Sequence, residues 1–105
     1  MRTCRPSVHR PVKERLPGRV DLHIESPVTG FAQARELANR EVRKRGGDSL
    51  LLAWYEQDTG RYSPNVDCCG EDRPSWQVYA ESRGGNLTVY LNEGEFVFLY
   101  RHEDE

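Results

Sequence analysis

The sequence predicts an α+β fold: a four- to five-stranded, mainly antiparallel sheet with one helix packed on one face. Three patterns indicate it: an alternation of apolar and polar residues near the start, a helical stripe after it, and a period of two through the second half. The 105 residues are enough for a single hydrophobic core. We expect a basic arm, extended or disordered, over residues 1–17, one domain over 18–101, and an acidic tail over 102–105.

The first strand is predicted where Val20, Leu22 and Ile24 alternate with charged and polar side chains. A period of two is typical of a strand with one buried face. Before it, three prolines interrupt a series of arginines and lysines. Because proline disfavours helix and removes a backbone donor, this segment is assigned to the arm.

A helix is predicted next, and it runs to about Arg45. Its apolar residues recur at helical spacing from Phe31 to Val42, which gives a narrow buried stripe. Ser26 and Thr29 are both candidates for its N-cap, and the glycine pair that follows the helix ends it.

After residue 48 the sequence predicts only strands. Apolar and aromatic residues alternate with polar ones, and glycine-containing turns separate the alternating segments. The predicted strands cover residues 50–56, 61–63, 76–81, 87–91 and 95–100. The predicted turns are Asp58-Thr59-Gly60, Arg83-Gly84-Gly85 and Asn92-Glu93-Gly94.

One helix covers only one face of such a sheet, so the other face is solvated, closed by the arm, or buried in a partner. Tyr55, Tyr79 and Tyr90 are assigned to this open face, with Arg83 in the adjoining hairpin as a further ligand-binding residue. Contiguous aromatic surface marks binding or dimer interfaces, although tyrosine also suits strands without any function. The sequence therefore favours a binding or interaction module that self-associates, whose protein or small-molecule ligand is not identified.

Adjacent cysteines in an acidic loop support an alternative function, that of a thiol-dependent redox or metal-binding protein. Cys68 and Cys69 lack the spacing of a structural zinc site, and a disulfide between neighbours is strained. Asp67 beside them disfavours the thiolate. The candidate metal ligands are Cys68, Cys69, Asp67 and His23, and the competing interpretation is that the cysteines are small residues packed in a tight loop.

No catalytic motif is recognisable. Asp58-Thr59-Gly60 matches the short signature of aspartic proteases, but its neighbours are polar, and a hairpin turn explains the triplet. Phosphate-binding loops and dinucleotide fingerprints are not found. We assign no catalytic residue and no cofactor, and we favour binding over catalysis.

Charge and composition narrow the classes of partner. Residues 1–45 carry 11 Lys and Arg against 5 Asp and Glu, whereas residues 46–105 carry 4 against 12. The net charge of −2 makes nucleic-acid binding unlikely, because such domains carry a strong basic excess. No stretch approaches the roughly 18 apolar residues of a membrane span, and three cysteines do not make a secreted disulfide framework. We expect a cytoplasmic protein.

A series of short segments in the second half of the chain carries a family resemblance: Trp54-Tyr55, Thr59-Gly60, Ser63-Pro64, Cys68-Cys69-Gly70, Trp76, Tyr79, Ser82-Arg83-Gly84-Gly85, Asn92 and Gly94-Glu95-Phe96-Val97-Phe98. Through them, residues 48–100 resemble a small, functionally uncharacterised domain family of bacteria and archaea. The resemblance implies no activity, substrate or cofactor, but it draws attention to the loop from Ser63 to Trp76 and to the Arg83 turn as a common surface.

Overall fold

Five strands form one sheet in the order β1-β4-β5-β2-β3, and a helix packs on each of its faces. The structure is a computed structural model that describes residues 11–25, 27–64 and 74–103. The elements are β1 (Arg19–Leu22), α1 (Phe31–Arg43), β2 (Asp48–Glu56), β3 (Arg61–Ser63), α2 (Ser75–Ser82), β4 (Leu87–Leu91) and β5 (Phe96–Glu103), with short 3₁₀ turns at Lys13–Arg15 and Asn92–Gly94.

The sheet is mixed but mainly antiparallel, so the predicted α+β class is confirmed. β1 runs parallel to β4, with Val20 opposite Val89, and the other three strand pairs are antiparallel. A period of two shows that a segment is a strand but not which way its neighbour runs, and the parallel pair was therefore not predicted.

α1 covers β4 and β5 through a narrow stripe of small side chains, as the sequence predicts. Ala34, Ala38 and Val42 are buried in one cluster with Val89 and Phe98. Because alanine is small, the helix can lie close to the sheet along this stripe.

The start of α1 differs from the prediction. The helix begins at Phe31 with Gly30 at its N-cap, and no side chain caps it there. Thr29 lies one residue too early to be the N-cap, and its backbone N–H donates to the Gln33 side-chain oxygen at 2.6 Å. Ser26, the other predicted cap, lies outside the described residues.

Residues 76–81 form helix α2, so the prediction of a strand there was wrong. The fully buried side chains are Trp76, Gln77 and Ala80, a spacing that fits a helix and not a strand. Aromatic and β-branched residues favoured the strand on propensity alone. Pro74 before the segment and the glycines after it are helix-boundary signals, and they indicated the correct structure.

The predicted hairpin at 83–85 is instead the C-terminal cap of α2. The Gly85 N–H donates to the Ala80 carbonyl at 2.9 Å, and the Gly84 N–H donates to the Glu81 carbonyl at 3.2 Å. This pair of bonds is the Schellman pattern, and it places Gly84 in the left-handed region, at φ 88°. The segment therefore joins a helix to β4 and not one strand to another.

α2 covers the sheet face that the sequence left open, so the prediction of an open face was wrong. Tyr55 is 4 % exposed and stacks on Trp76, with ring centroids 5.5 Å apart. Ala53, Val97 and Leu99 belong to the same buried cluster. The sheet is thus a central layer with a core on each side.

The segment before β1 also packs on the α2 face, within the stretch predicted to be an extended or disordered basic arm. Leu16 is buried in the α2 cluster. Gln77 accepts from the Val12 N–H at 3.0 Å and donates to the Val12 carbonyl at 3.2 Å. The Thr88 hydroxyl donates to the Pro17 carbonyl at 2.7 Å. Residues 11–17 are therefore part of the folded unit, and residues 1–10 lie outside the described residues.

Candidate functional site

The four residues predicted to bind a ligand lie in three separate places. Tyr55 is beneath α2 against Trp76. Tyr79 lies on α2 and stacks with Arg83, whose guanidinium carbon is 4.6 Å from the tyrosine ring centroid. Tyr90 lies on β4, half-buried, with the charged groups of two basic residues over its ring. The structure brings only Tyr79 and Arg83 together, and the four do not make one surface.

The two cations over Tyr90 come from the segment that precedes β1 and from β1 itself. Lys13 Nζ lies 5.4 Å and the Arg19 guanidinium carbon 5.5 Å from the ring centroid. These contacts hold residues 13–19 over the sheet, since a cation over an aromatic face is attracted to it. The Tyr90 ring is therefore used in the packing of this segment.

The predicted thiol or metal site falls mostly outside the described residues. Asp67, Cys68 and Cys69 are not among them, and His23 is an exposed residue directly after β1. Over residues 11–25, 27–64 and 74–103, no group of three or more His, Cys, Asp or Glu side chains is placed to hold a metal ion.

A groove runs beside α1, and sequence reasoning did not identify it. Its cavity of about 360 Å³ is within the usual size range of small-molecule sites, roughly 300–1,000 Å³. We call it the α1 groove, and its lining residues are Phe31, Ala32, Arg35, Glu36 and Asn39. They come from one side of the helix, because residues three, four and eight apart share a helical face.

Phe31 lines the groove at the start of α1, and Trp54 and Phe98 pack against it. We call these three rings the aromatic wall. The Phe31 ring lies 4.4 Å from that of Trp54 and 5.7 Å from that of Phe98, between centroids, and both contacts are tilted. Phe31 and Trp54 are half-buried. The contacts with Trp54 and Phe98 restrict the movement of the Phe31 ring, which lines the groove.

Arg61 extends the wall at the β2–β3 hairpin. Its guanidinium carbon lies 6.0 Å from the Trp54 ring centroid, and its Nη2 donates to Glu56 Oε1 at 2.7 Å. The Thr59 hydroxyl donates to the same oxygen at 3.1 Å. Asp58-Thr59-Gly60 thus forms the hairpin turn that the sequence predicted, and its threonine helps to hold Arg61 beside Trp54.

A buried hydrogen bond fixes the opposite end of the groove. The Tyr100 hydroxyl donates to Asn39 Oδ1 at 2.6 Å. Burial raises the pKa of Tyr100, and the positive charges of Arg35 and Arg43 oppose that rise. Because the amide oxygen of Asn39 accepts from the phenol, its amide nitrogen keeps two hydrogen-bond donors.

The charged side chains of the groove differ in how they are paired. Glu36 lies 3.6 Å from Arg43 and 4.0 Å from Arg40, between the charged nitrogen and oxygen atoms. Arg35 makes no ion pair or hydrogen bond with any described residue. The groove therefore presents hydrogen-bond donors without a described partner, at Arg35 and Asn39, next to the aromatic wall.

The sequence contained a signal for this groove. Phe31, Arg35 and Asn39 repeat every four residues, directly beside the buried stripe of α1. What the sequence does not show is that α1 packs on β4 and β5 and leaves β2 beside it, since this depends on the strand order.

Residues 17–100 match the model of a family described as Domain of unknown function (DUF5619). The chain belongs to this family. The match extends the resemblance seen in the sequence to the first half of the fold, and it confirms that the family is an uncharacterised one. All strands up to residue 100, both helices and the α1 groove lie within the DUF5619 match.

Two proteins of Archaeoglobus fulgidus are similar to this chain. An uncharacterised protein of that archaeon is 42 % identical over 66 residues, which cover 63 % of this chain and 70 % of the relative. A crystal structure of a novel protein from the same organism is similar in fold, with a TM-score of 0.72 and 33 % identity. The structural alignment covers 86 % of this chain and 99 % of the chain in that crystal structure.

Neither helix is a candidate for crossing a bilayer. Among the described residues, no helix combines the length and the apolar composition that a membrane span requires. The helices of this DUF5619 chain instead have 13 and 8 residues and pack on the sheet.

Proposed function

We propose that this protein is a binding module that takes a small ligand in the α1 groove. The observation that carries the proposal is the combination of a cavity of about 360 Å³, hydrogen-bond donors without described partners, and a fixed aromatic wall. Small-molecule sites are concave and contain a few polar groups that orient the ligand.

The proposal keeps the binding role that the sequence favours but moves it to the other face of the sheet. The tyrosine face is covered by α2, whereas the groove lies on the α1 face beside β2. The argument for self-association depended on an open apolar face, and the α2 face no longer supports it. Leu50, at 54 % exposure, is the large apolar residue that the described part of the chain leaves exposed.

A fragment screen by nuclear magnetic resonance tests the proposal. We expect fragments that bind the ¹⁵N-labelled protein to shift the amide signals of residues 31–39 and of Trp54. Shifts confined to other regions, or none with a set of several hundred fragments of mixed charge, would contradict it.

A blocking variant ties the binding to the groove. Ala32 is exposed and lines the cavity, so Ala32→Phe fills the cavity and leaves the core unchanged. Arg40→Phe adds the same ring to an exposed position of α1 outside the lining, and it is the matched control. We expect the first variant to abolish fragment binding and the second to keep it. Equal binding to both variants would exclude the groove as the site.

A further inference from the structure

We infer that the ligand of the α1 groove is an anion, a carboxylate or phosphate carried on a flat apolar group. The inference rests on the proposed function, and it adds the chemical class of the ligand. Two polar groups and one ring of the groove lead to it: Arg35, Asn39 and Phe31.

Arg35 supplies the charge. Its guanidinium is a planar fork of five donors that matches the two oxygens of a carboxylate or phosphate. It lines the cavity, and no described residue accepts from it. A cationic ligand would be repelled from this position, whereas an anion gains a charge-assisted hydrogen bond that a neutral ligand does not make.

Asn39 supplies a second donor on the same side of the helix. It lies one turn after Arg35, and side chains four residues apart are neighbours, roughly 5–6 Å apart at their Cβ atoms. Tyr100 occupies the Asn39 amide oxygen at 2.6 Å and so fixes the orientation of the amide. The amide nitrogen can therefore donate to an anion held by Arg35.

The carboxylate in the lining does not cancel this preference. Glu36 pairs with Arg43 at 3.6 Å and with Arg40 at 4.0 Å, and neither arginine lines the cavity. Two arginines thus share the negative charge of Glu36, and Arg35 is left as the net charge of the groove.

Phe31 determines the shape of the rest of the ligand. Its ring packs against Trp54 and Phe98, and it lines the cavity. Ala32 beside it is small and leaves room. A flat apolar group gains contact area on the Phe31 ring, whereas an anion without such a group, such as inorganic phosphate, gains only the polar contacts.

Titration with five probes tests the inference: benzoate, phenyl phosphate, benzyl alcohol, benzylamine and inorganic phosphate. The readout is the dissociation constant from the amide shifts of residues 31–39 at pH 7. We expect benzoate or phenyl phosphate to bind about tenfold or more tightly than benzyl alcohol, because charge-assisted hydrogen bonds are the stronger ones. The order of these two anions distinguishes a carboxylate from a phosphate ligand. We expect benzylamine not to bind and inorganic phosphate to bind more weakly than phenyl phosphate.

Two variants separate this inference from the proposed function. Arg35→Gln should raise the dissociation constants of benzoate and phenyl phosphate about tenfold and leave that of benzyl alcohol unchanged. Lys44→Gln removes an equally charged, exposed residue at the end of α1 whose ion-pair partner, Glu41, does not line the cavity, and it should change neither. If benzyl alcohol binds as well as benzoate and Arg35→Gln has no effect, the ligand class is wrong but the groove remains a binding site. If no probe shifts the groove amides, both the ligand class and the proposed function are overturned.

Discussion

Replacing Gly18 with alanine tests the parallel pairing of β1 with β4, a feature of the fold that the sequence did not predict. Gly18 has φ 52°, in the left-handed region. A Cβ at this position would lie 2.2 Å from the Asn86 carbonyl oxygen, well inside the 3.0 Å below which real Cβ contacts essentially do not occur. Gly18→Ala therefore combines backbone strain with a steric clash.

The backbone around Gly18 has little freedom to relieve the clash. The Gly18 carbonyl accepts from the Thr88 N–H at 3.1 Å, and the Asn86 N–H donates to the Tyr100 carbonyl at 3.0 Å. The Asn86 side chain also bonds the backbone of His102 in both directions, at 2.8 and 2.9 Å. Moving the backbone at Gly18 or at Asn86 therefore breaks hydrogen bonds to β4 or to β5.

The expected loss of unfolding free energy has two parts. The left-handed conformation costs an alanine about 1–2 kcal/mol. Overpacking against a fixed backbone costs about 1–3 kcal/mol more. Gly46→Ala isolates the first part, because Gly46 has φ 72° and no atom lies within 4 Å of the Cβ that would be added.

Urea unfolding followed by far-ultraviolet circular dichroism measures both variants. We expect Gly46→Ala to lose about 1 kcal/mol, since alanine also stiffens the unfolded chain, and Gly18→Ala to lose about 2–5 kcal/mol. If Gly18→Ala is no less stable than Gly46→Ala, then Gly18 does not approach Asn86. The parallel register of Arg19 with Thr88 would then be refuted.

Three further predictions concern the two cores. Trp76→Ala should lose about 3–5 kcal/mol in urea unfolding, because it empties the centre of the α2 face, and a loss below about 1 kcal/mol would mean that α2 does not cover that face. Gln77→Ala should lose about 2 kcal/mol of unfolding free energy, because it leaves both backbone groups of Val12 without their partner. Proteolysis before residue 19 should also become faster, and unchanged cleavage would show that Gln77 does not hold residues 11–17 on the α2 face. Tyr100→Phe should lose about 1 kcal/mol at pH 7 with the bond to Asn39. Because the pKa of Tyr100 is raised in the folded state, its neutral form stabilises the fold fully below about pH 10, and this contribution is lost as the pH rises further. The unfolding free energy of Tyr100→Phe should therefore fall less than that of the wild type above about pH 10.

The parts of the fold that follow from local patterns could be predicted from the sequence. Val20 and Leu22 are half-buried against the α1 core and Ala34, Ala38 and Val42 are buried in it, as expected, because a residue's position in a regular element decides which face it occupies. The segment at 76–81 shows the limit of this reasoning. Its valine, tyrosine and tryptophan suit a strand, but its burial follows helical spacing under the control of tertiary packing.

The wrong assignment of residues 76–81 to a strand also led to the wrong location for the binding surface. Once residues 76–81 were assigned to a strand, one helix remained to cover two faces, and Tyr55 and Tyr90 became an exposed surface. With α2 in place, Tyr55 is covered, and the open surface is on the opposite face, beside α1. The residues of the groove are all on a helix that was predicted correctly, but their exposure depends on which strands that helix covers.

The groove is a consequence of the way α1 packs, and not an isolated defect of the surface. The buried stripe of α1 is only one small residue wide at each turn, so the helix sits close over β4 and β5. β2 lies next to β5 in the sheet, and its residue Trp54 extends beyond what α1 covers. Phe31 contacts Trp54 from the first turn of the helix, and Arg35 and Asn39 line the groove one and two turns later. Because the buried stripe is narrow, the side chains next to it on α1 are not needed for packing on the sheet, which leaves Arg35 and Asn39 available to a ligand.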